Sequence, residues 1–318
     1  MSLARYALMR AALVVPLLAA ASLLSFVLIQ MSPGDPAEVA LRLNDITPTP
    51  DVLAETRAQL GLDDPFWQRY LTWLWAVLQG DLGTSFVTGR PVLEDMAQAL
   101  PATLALALCA FALLLVTALP AALLAAFRAG RWPDVLVRGL AFLGSALPPF
   151  WAGLLLIWLF AVHWNLLPMG GMEKPASVFL PACTLALPYV ATYVRLLRAG
   201  LLQVREEHFV LYARALGRSR TGLLCSMLRN ALQPTLAGLG MSLPRMMAGS
   251  FVVECLFAWP GLGRLCVTAI FSRDFPVIQA CVLFLAVLFI LCNLAADLLA
   301  ALLDPRILKG SGDGRRMA

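Results

Sequence analysis

The chain is poor in charged residues. Only 14% of its 318 residues are Asp, Glu, Lys or Arg, against about 25% in soluble globular domains, whereas 60% are hydrophobic. Its mean hydropathy is +0.80. Because so apolar a chain cannot cover itself with polar side chains, water is not its main solvent. This composition excludes a disordered chain, a nucleic-acid-binding protein and a secreted disulfide scaffold.

Motifs for nucleotide hydrolysis and peptide cleavage are also absent. The sequence has no GxxxxGK[ST], HExxH or GxSxG motif, and it has only two histidines, His163 and His208. Its seven cysteines form no CxxC and mostly lie in apolar runs, so we interpret them as buried small hydrophobic residues. We therefore expect no enzyme activity, no cofactor in this chain and no nucleic-acid partner.

Long apolar runs predict six transmembrane helices, since about 20 apolar residues cross a bilayer. The predicted spans lie at Ala11–Ile29, within Met96–Phe127, within Gly139–Met172, at Pro175–Val194, at Asn230–Leu256 and at Phe275–Ala296. The first run exceeds the apolar core of about 7–15 residues of a signal peptide, so we expect it to be retained. The predicted fold class is an all-α polytopic membrane protein.

The distribution of positive charge predicts the orientation of the spans. With both termini inside, the cytoplasmic segments and adjoining span ends hold 16 of the 24 Lys and Arg residues. Apart from the long segment between spans one and two, the opposite side holds three. Because loops rich in Lys and Arg stay in the cytoplasm, we expect cytoplasmic N- and C-termini.

The long external segment, Met31–Ala99, is predicted to contain two helices. One begins at Thr49-Pro50-Asp51 and ends at Gly61, and the next begins at Asp64-Pro65 and ends at Gly80. The second helix carries many aromatic residues, namely Phe66, Trp67, Tyr70, Trp73 and Trp75. These residues are typical of a membrane interface, and equally of the core of a small folded cap.

The segment after span four, Val204–Gly217, predicts a short amphipathic helix. Apolar residues fall at i, i+3, i+4 and i+7 on one face, which consists of Phe209, Tyr212, Ala213 and Leu216. Gly217 suits a left-handed C-terminal cap, and Ser219 or Thr221 could begin a helix to about Leu232, before Pro234. From its periodicity the short helix could lie on lipid or fill a groove on a partner protein.

The order of short stretches along the chain resembles that of permease subunits of ABC importers for dipeptides, oligopeptides and nickel. The resemblance runs from Arg5 to about Arg306 and is greatest to nickel-importer permeases of the B type. It is carried by LGLDDP (60–65), QGDLGTSF (79–86), PV (91–92), LPATL (100–104), YARALG (212–217), RNAL (229–232), ECLFAWPGLGR (254–264), RDFPVIQ (273–279) and LLDPRI (302–307). It implies a type I importer permease fold, with a first span and external segment at 1–92, a permease domain at 93–300 and a cytoplasmic tail at 301–318.

The resemblance favours partner docking for the amphipathic helix. YARALG is similar to the family's ABC coupling motif, which docks in a groove of the ATPase. The coupling residues it implies are Phe209, Tyr212, Ala213, Arg214 and Gly217. The general motif has Glu-Ala-Ala six to four residues before its Gly; the sequence here reads Leu-Tyr-Ala, so the acidic contact of the general motif is missing.

Three charged residues, Arg245, Glu254 and Asp297, lie in apolar spans, where charges are costly and presumed functional. Arg245 and Glu254 are nine residues apart and fall on opposite faces of a regular helix, so their pairing requires a break in span five. Asp297 lies near the cytoplasmic end, where we expect it to extend to the membrane surface.

Glu254 opens the family stretch ECLFAWPGLGR. The structural or gating residues we expect there are Glu254, Phe257, Trp259, Pro260 and Gly261. Alternatively, Glu254 extends to the external interface, and the Pro-Gly turn only caps the re-entry into span six. His163 and Glu254 are weak candidates as nickel ligands, because no ligand spacing supports them.

The predicted function is that of an inner-membrane permease subunit of an ATP-driven importer. Expected partners are a second homologous permease, two ATPase subunits that bind ATP and Mg²⁺, an external solute-binding protein and the lipid bilayer. Nickel, free or as a small chelate, is the expected cargo, and a di- or oligopeptide is the alternative. A stand-alone carrier or channel driven by an ion gradient is the alternative from another class.

Overall fold

The computed structural model describes residues 3–31 and 34–303, and regular structure in these ranges is helical. The helices are α1 (Leu3–Gln30), α2 (Pro36–Leu43), α3 (Pro50–Gln59), α4 (Phe66–Leu78), α5 (Val92–Phe127), α6 (Trp132–Ala146), α7 (Pro149–Leu156), α8 (Phe179–Arg205), α9 (His208–Ala215), α10 (Arg220–Gly240), α11 (Ser242–Gly249), α12 (Phe251–Leu256), α13 (Leu262–Ser272) and α14 (Phe275–Leu303). A π-helix continues α7, and a 3-10 helix precedes α8. The all-α class is confirmed.

Within the described ranges, four helices are long and apolar enough to cross a membrane. They are Arg5–Gln30, Val92–Phe127, Pro175–Arg205 and Phe275–Ala295, and they correspond to predicted spans one, two, four and six. Predicted span three is a pair of helices, Trp132–Ala146 and Pro149–His163, bent by 112°. Two prolines lie at the bend, and Leu147 before them is extended because proline disfavours helical backbone in the preceding residue.

Predicted span five is divided among three helices, α10, α11 and α12, which meet at Met241 and Ser250. Helix α10 continues through position 234, so its backbone does not show the perturbation predicted at Pro234. The breaks follow Gly240 and Gly249, since glycine is a poor helix former. Six continuous spans are therefore not found in the part of the chain that the structure describes.

The chain forms two compact units. The central unit consists mainly of Leu104–Trp259, together with the end of α14 from Ala295. The flanking unit consists of Ala4–Thr103 and Pro260–Leu294, and it therefore contains the long segment between spans one and two. The two family stretches at Leu100–Leu104 and Glu254–Arg264 each continue from one unit into the other.

Helices α3 and α4 of the flanking unit end where the sequence predicts. Gly61 and Gly80 have φ of +63° and +85°, the left-handed region open to glycine. Beyond each glycine a backbone N–H closes the last turn, from Leu62 to the carbonyl of Arg57 and from Asp81 to that of Ala76, both at 2.9 Å. The preceding helix α2 is not predicted; the Asp35 carboxylate caps it by accepting a hydrogen bond from the Ala37 N–H at 3.0 Å.

The aromatic residues of helix α4 are partly buried in a small core and partly exposed, in agreement with both interpretations of its sequence. Tyr70 is buried, and its hydroxyl lies 2.8 Å from that of Ser22 on α1. Phe26 of α1 packs edge-on against the Tyr70 ring, with centroids 5.5 Å apart. The side chains of Trp67 and Trp75 are exposed. One face of α4 therefore forms a small core with α1, while the other offers the exposed aromatic residues typical of a membrane interface.

In the central unit, α8 lies against α6, α7, α10, α11 and α12 and has the most buried surface of the candidate spans. The Tyr193 hydroxyl on α8 lies 2.8 Å from that of Ser242 on α11. The prediction of buried cysteines is wrong for Cys183, Cys225 and Cys255, which are exposed.

Candidate functional site

The segment predicted to couple to a partner forms helix α9, shorter than expected. Helix α8 continues to Arg205, and α9 begins at His208 after a tight turn. Gly217 has φ of +70°, and the Arg218 N–H donates to the Ala213 carbonyl at 3.0 Å. This bond, from the residue after the glycine to the last turn of the helix, is that of a Schellman cap. The glycine thus ends α9 as its sequence predicts.

Helix α9 presents an apolar face that no described part of the chain covers. Tyr212 and Leu216 are 72% and 82% exposed, and Leu211 and Phe209 are exposed beside them. Ala213, predicted on the same face, is buried instead. The Arg214 side chain lies outside the described residues. An uncovered apolar face on a capped helix is suited to insertion into a complementary groove.

The opposite face of α9 fixes the helix to the central unit. Val210 is fully buried in an apolar cluster with Ala126 of α5, Leu201 and Val204 of α8, and Met227 and Ala231 of α10. The buried position of Val210 was not predicted, because only the longer row of apolar residues on α9 was considered. The spacing of Val210 and Ala213, i and i+3, is the signal that could have revealed a second face.

A buried ion pair joins α6 to α8, and sequence reasoning missed it as well. Asp134 is fully buried, and its two carboxylate oxygens accept hydrogen bonds from Arg198 Nε and an Nη of Arg198 at 2.6 and 2.7 Å. The Gly130 N–H donates to the same carboxylate at 2.9 Å, and Arg138 lies 3.5 Å away. Such a bidentate pair fixes the relative orientation of two helices. The acid in the first turn of α6, after Trp132-Pro133, was the available signal.

Glu254 is fully buried in the central unit, so the alternative that it extends to the interface is wrong. The Ser250 hydroxyl donates to its Oε1 at 2.7 Å, and the Trp259 N–H donates to its backbone carbonyl at 2.8 Å. Between them, Ala258 has φ of +51°, a left-handed conformation that costs a non-glycine residue about 1–2 kcal/mol. The surrounding contacts therefore hold this turn in one shape.

Phe257 and Trp259 of the same stretch are buried too, and a loop crosses over the first of them. The Gly171 N–H donates to the Phe257 carbonyl at 2.8 Å. A Cβ at neighbouring Gly170 would lie 2.1 Å from that carbonyl oxygen, so only glycine permits this approach. Glu254, Phe257 and Trp259 thus belong to one rigid turn of the central unit.

The weak metal-ligand candidate His163 is exposed at the end of the π-helix, and its ring stacks on that of Trp158 at 5.5 Å. Among residues 3–31 and 34–303, no group of three or more His, Cys, Asp or Glu side chains is placed to hold a metal ion. A role for His163 or Glu254 as a nickel ligand remains an untested prediction.

In the flanking unit, Asp274 joins two of the family stretches that lie far apart in sequence. This buried carboxylate accepts a hydrogen bond from the Ser85 hydroxyl and others from the N–H groups of Phe86 and Val87, at 3.1 and 3.3 Å. Ser85 in turn accepts hydrogen bonds from the Val87 and Thr88 N–H groups. QGDLGTSF and RDFPVIQ therefore form one hydrogen-bonded framework.

Three further family stretches, PV, LPATL and ECLFAWPGLGR, contribute residues of this unit that meet beside that framework. The Leu262 N–H, after the Pro260-Gly261 turn, donates to the Thr103 hydroxyl of LPATL at 2.8 Å. Val92, Leu262 and Val277 share one buried apolar cluster. Pro260 and Gly261 line an adjacent cavity of about 460 Å³ that also contains the side chains of Arg90, Asp95, Gln98 and Arg264.

Comparison with known protein families identifies the chain. Residues 118–309 match the family described as binding-protein-dependent transport system inner membrane component, and residues 3–107 match the N-terminal region described for such membrane components. The chain belongs to this family. It is therefore an inner-membrane permease subunit of an ABC importer.

Family members similar along nearly their whole length have different cargoes in their names. The metal-staphylopine import system permease protein CntB of Staphylococcus aureus (strain NCTC 8325 / PS 47) is 38% identical over 309 residues, which cover 96% of this chain and 99% of CntB. The dipeptide transport system permease protein DppB of Escherichia coli (strain K12) is 35% identical over 335 residues, which cover 95% of this chain and 98% of DppB.

The family's fold is also evident in a solved structure. The MetNI methionine ABC transporter in inward-facing conformations is 17% identical and has a TM-score of 0.55, over 66% of this chain and 96% of that chain. The type I permease fold is thereby confirmed. The family match and the relatives CntB and DppB confirm the resemblance to permeases of the dipeptide, oligopeptide and nickel family.

Proposed function

We propose that this permease imports nickel, free or as a small metal chelate, and that a second homologous permease completes the translocation path. The observation that carries this proposal is the 38% identity to a metal-staphylopine permease over 96% of the chain. The excess of Lys and Arg in the segments flanking the spans supports an orientation with both termini in the cytoplasm.

Two ATPase subunits would act on this chain through α9. Its exposed apolar face, centred on Tyr212 and Leu216, supports docking in a groove of the ATPase, and the Gly217 cap keeps the helix short. The buried Val210 would pass a displacement of α9 to α8 and α10. The bidentate Asp134–Arg198 pair would carry it on to α6. Such a displacement supports alternating access by rocking of helix bundles.

An external solute-binding protein would deliver the cargo. The Pro260-Gly261 turn and its cavity of about 460 Å³, predicted on the external side, are the surface that we propose for its docking. We assign the rigid turn of Glu254, Phe257 and Trp259 a gating role, because it is buried and held by backbone hydrogen bonds at 2.8 Å.

Dipeptides are the second candidate cargo, because DppB is 35% identical over 95% of this chain. The deciding experiment deletes the gene and measures uptake of radioactive nickel and of a labelled dipeptide, each at submicromolar concentration. Nickel would be supplied alone and as a carboxylate chelate. We expect loss of nickel uptake with dipeptide uptake unchanged. Loss of the dipeptide alone would assign the peptide cargo and overturn the metal one.

Replacing Gly217 tests whether α9 couples transport to ATP hydrolysis. Gly217→Pro should abolish uptake and leave membrane insertion intact, because proline fixes φ near −65° whereas this residue has φ of +70°. Gly217→Asn is the matched control, since asparagine tolerates the left-handed conformation and should retain most uptake. Full uptake by Gly217→Pro would instead favour a stand-alone carrier that needs no ATPase.

A further inference from the structure

The flanking unit contains a second cavity, of about 320 Å³, whose walls are largely apolar. The end of α1, the start of α14, the loop before α4 and one face of α4 line it. Its apolar walls include Phe26, Leu60, Trp73, Phe86 and Phe275. Three of the polar side chains among these walls carry the inference: Arg69, Asp64 and Gln279.

The Gln279 side chain is an incompletely satisfied donor in this cavity. Gln279 is only 9% exposed, and its Nε2 has no hydrogen-bond partner among the described residues. A buried amide left without a partner costs about 1–3 kcal/mol. Because the amide nitrogen has two N–H groups and Gln279 lines the cavity, acceptor oxygens of a ligand bound there would satisfy it.

Arg69 provides a second set of donors. It is half-buried on α4, and within the described ranges its guanidinium has no ion pair and no hydrogen bond. Burial lowers the pKa of Arg69 below its ordinary value, and repulsion from Arg57 lowers it further, whereas Asp64 and Asp63 raise it. Its positive charge is thus held partly out of water without a direct partner.

The surroundings of the cavity indicate a lipid. Helix α1, which forms one wall, is the candidate span with the least buried surface, 17% of its most apolar window. The exposed Trp67 and Trp75 on α4 are residues typical of the lipid headgroup region. A guanidinium and an amide suit a phosphate, Asp64 suits an ammonium group, and the apolar walls suit the glycerol and first acyl carbons.

We propose that this cavity binds the headgroup of a membrane phospholipid and prefers phosphatidylethanolamine, whose phosphate contacts Arg69 and Gln279 and whose ammonium group contacts Asp64. The site depends on the membrane location of the family and is independent of which cargo is imported. Bound there, the lipid joins α1 and α4 to the start of α14.

The test counts lipids on the whole transporter purified in mild detergent, by native mass spectrometry. The double variant Arg69→Leu/Gln279→Leu should retain about tenfold less phosphatidylethanolamine than the unmodified protein, given the loss of a charge-assisted and an amide contact. Asp64→Asn should keep phospholipid but lose the preference for phosphatidylethanolamine over phosphatidylglycerol. Arg42→Leu/Gln59→Leu, which removes an exposed Arg and an exposed Gln of the same unit, should retain lipid normally.

A second measurement serves if the double variant fails to fold. Unmodified transporter, stripped of lipid, is supplied with phosphatidylethanolamine, phosphatidylcholine or phosphatidylglycerol, and its thermal unfolding is followed. We expect the largest rise in Tm with phosphatidylethanolamine. Equal rises with all three lipids, equal lipid retention by double and control variants, or displacement of the lipid by a dipeptide or a nickel chelate would each overturn the proposal. Uptake assays in cells that express the same variants keep this result separate from the assignment of cargo.

Discussion

The framework around Asp274 in the flanking unit and the α9 helix of the central unit are both built from family stretches, yet they are held in opposite ways. Asp274 is buried, and three donors from Ser85–Val87 satisfy it within the chain. The stretch YARALG instead exposes Tyr212 and Leu216 to solvent. The contacts of the first region are internal to the chain, whereas the second has an apolar surface that no described part of the chain covers.

Residues that stabilise the fold and residues that contact a partner should therefore respond differently to substitution. A residue of the framework should affect the free energy of unfolding, because its contacts are internal. A residue of the exposed face should affect transport and leave stability nearly unchanged, because surface substitutions usually change stability by less than about 0.5 kcal/mol. Four substitutions test this separation, from the largest expected change in stability to the smallest.

Asp134→Ala should have the largest effect on stability, although it lies in the same unit as α9. It leaves the guanidinium of Arg198, whose side chain is only 20% exposed, without its bidentate partner. Breaking a buried pair by removal of one partner costs about 3–5 kcal/mol. The expected result is a lower Tm of the purified permease, followed by the fluorescence of its tryptophans.

The matched control for Asp134→Ala is Glu38→Ala, which removes one partner of an exposed ion pair with Arg42 at 2.6 Å. Because exposed pairs at i, i+4 contribute about 0.3–0.5 kcal/mol, its Tm should hardly change. A small effect of Asp134→Ala, equal to that of the control, would show that the buried pair does not hold α6 on α8.

Asp274→Asn should have the next largest effect on stability. One oxygen becomes an NH₂ group that faces donors from Ser85, Phe86 or Val87, so at least one hydrogen bond is lost and two donors oppose each other. We expect a loss of roughly 1–3 kcal/mol of stability, measured as a lower Tm. Glu94→Gln, on an exposed residue of α5 in the same unit, is the control and should be nearly neutral. An unchanged Tm in Asp274→Asn would refute the framework role.

Val210→Ala tests the anchored face of α9. It removes two methyl groups from a fully buried site between α5, α8 and α10, which should cost about 2 kcal/mol of unfolding free energy. The detached helix should also transmit less motion, so uptake per molecule of inserted permease should fall. A lower Tm with uptake unchanged would mean that α9 does not need this anchor.

The features that could be predicted from the sequence are those that depend on neighbouring residues in the chain. Gly61, Gly80 and Gly217 end their helices as predicted, because a glycine after an apolar-periodic run is a short-range signal. Asp134 and Asp274 could not be predicted because their partners lie 64 residues and 187 to 189 residues away, and neither periodicity nor composition indicates such pairing. The hydrogen bonds of these two carboxylates are evident only in the folded structure, where their partners lie next to them.

The division of predicted span five into three helices could not be predicted for a related reason. Hydropathy sums over a window and does not register the glycines at 240 and 249, which divide the region into three helices. Arg245 and Glu254 would lie on opposite faces of one regular helix. They belong to different helices, α11 and α12, which meet at Ser250, so that expectation does not apply to them. Glu254 is satisfied at least in part by Ser250 itself, at 2.7 Å.

Tyr212→Ser should change stability least and still impair transport. The tyrosine is 72% exposed, so its loss removes no internal packing and its Tm should match that of the unmodified permease. If its ring fills a groove of the ATPase, uptake and cargo-stimulated ATP hydrolysis should fall several-fold, because aromatic anchors dominate such interfaces. Leu78→Ser, at a leucine of the flanking unit that is also 72% exposed, controls for the loss of an exposed apolar side chain. Normal uptake by Tyr212→Ser would remove the distinction between the two regions, because a face that tolerates a polar residue at its centre does not insert into a partner.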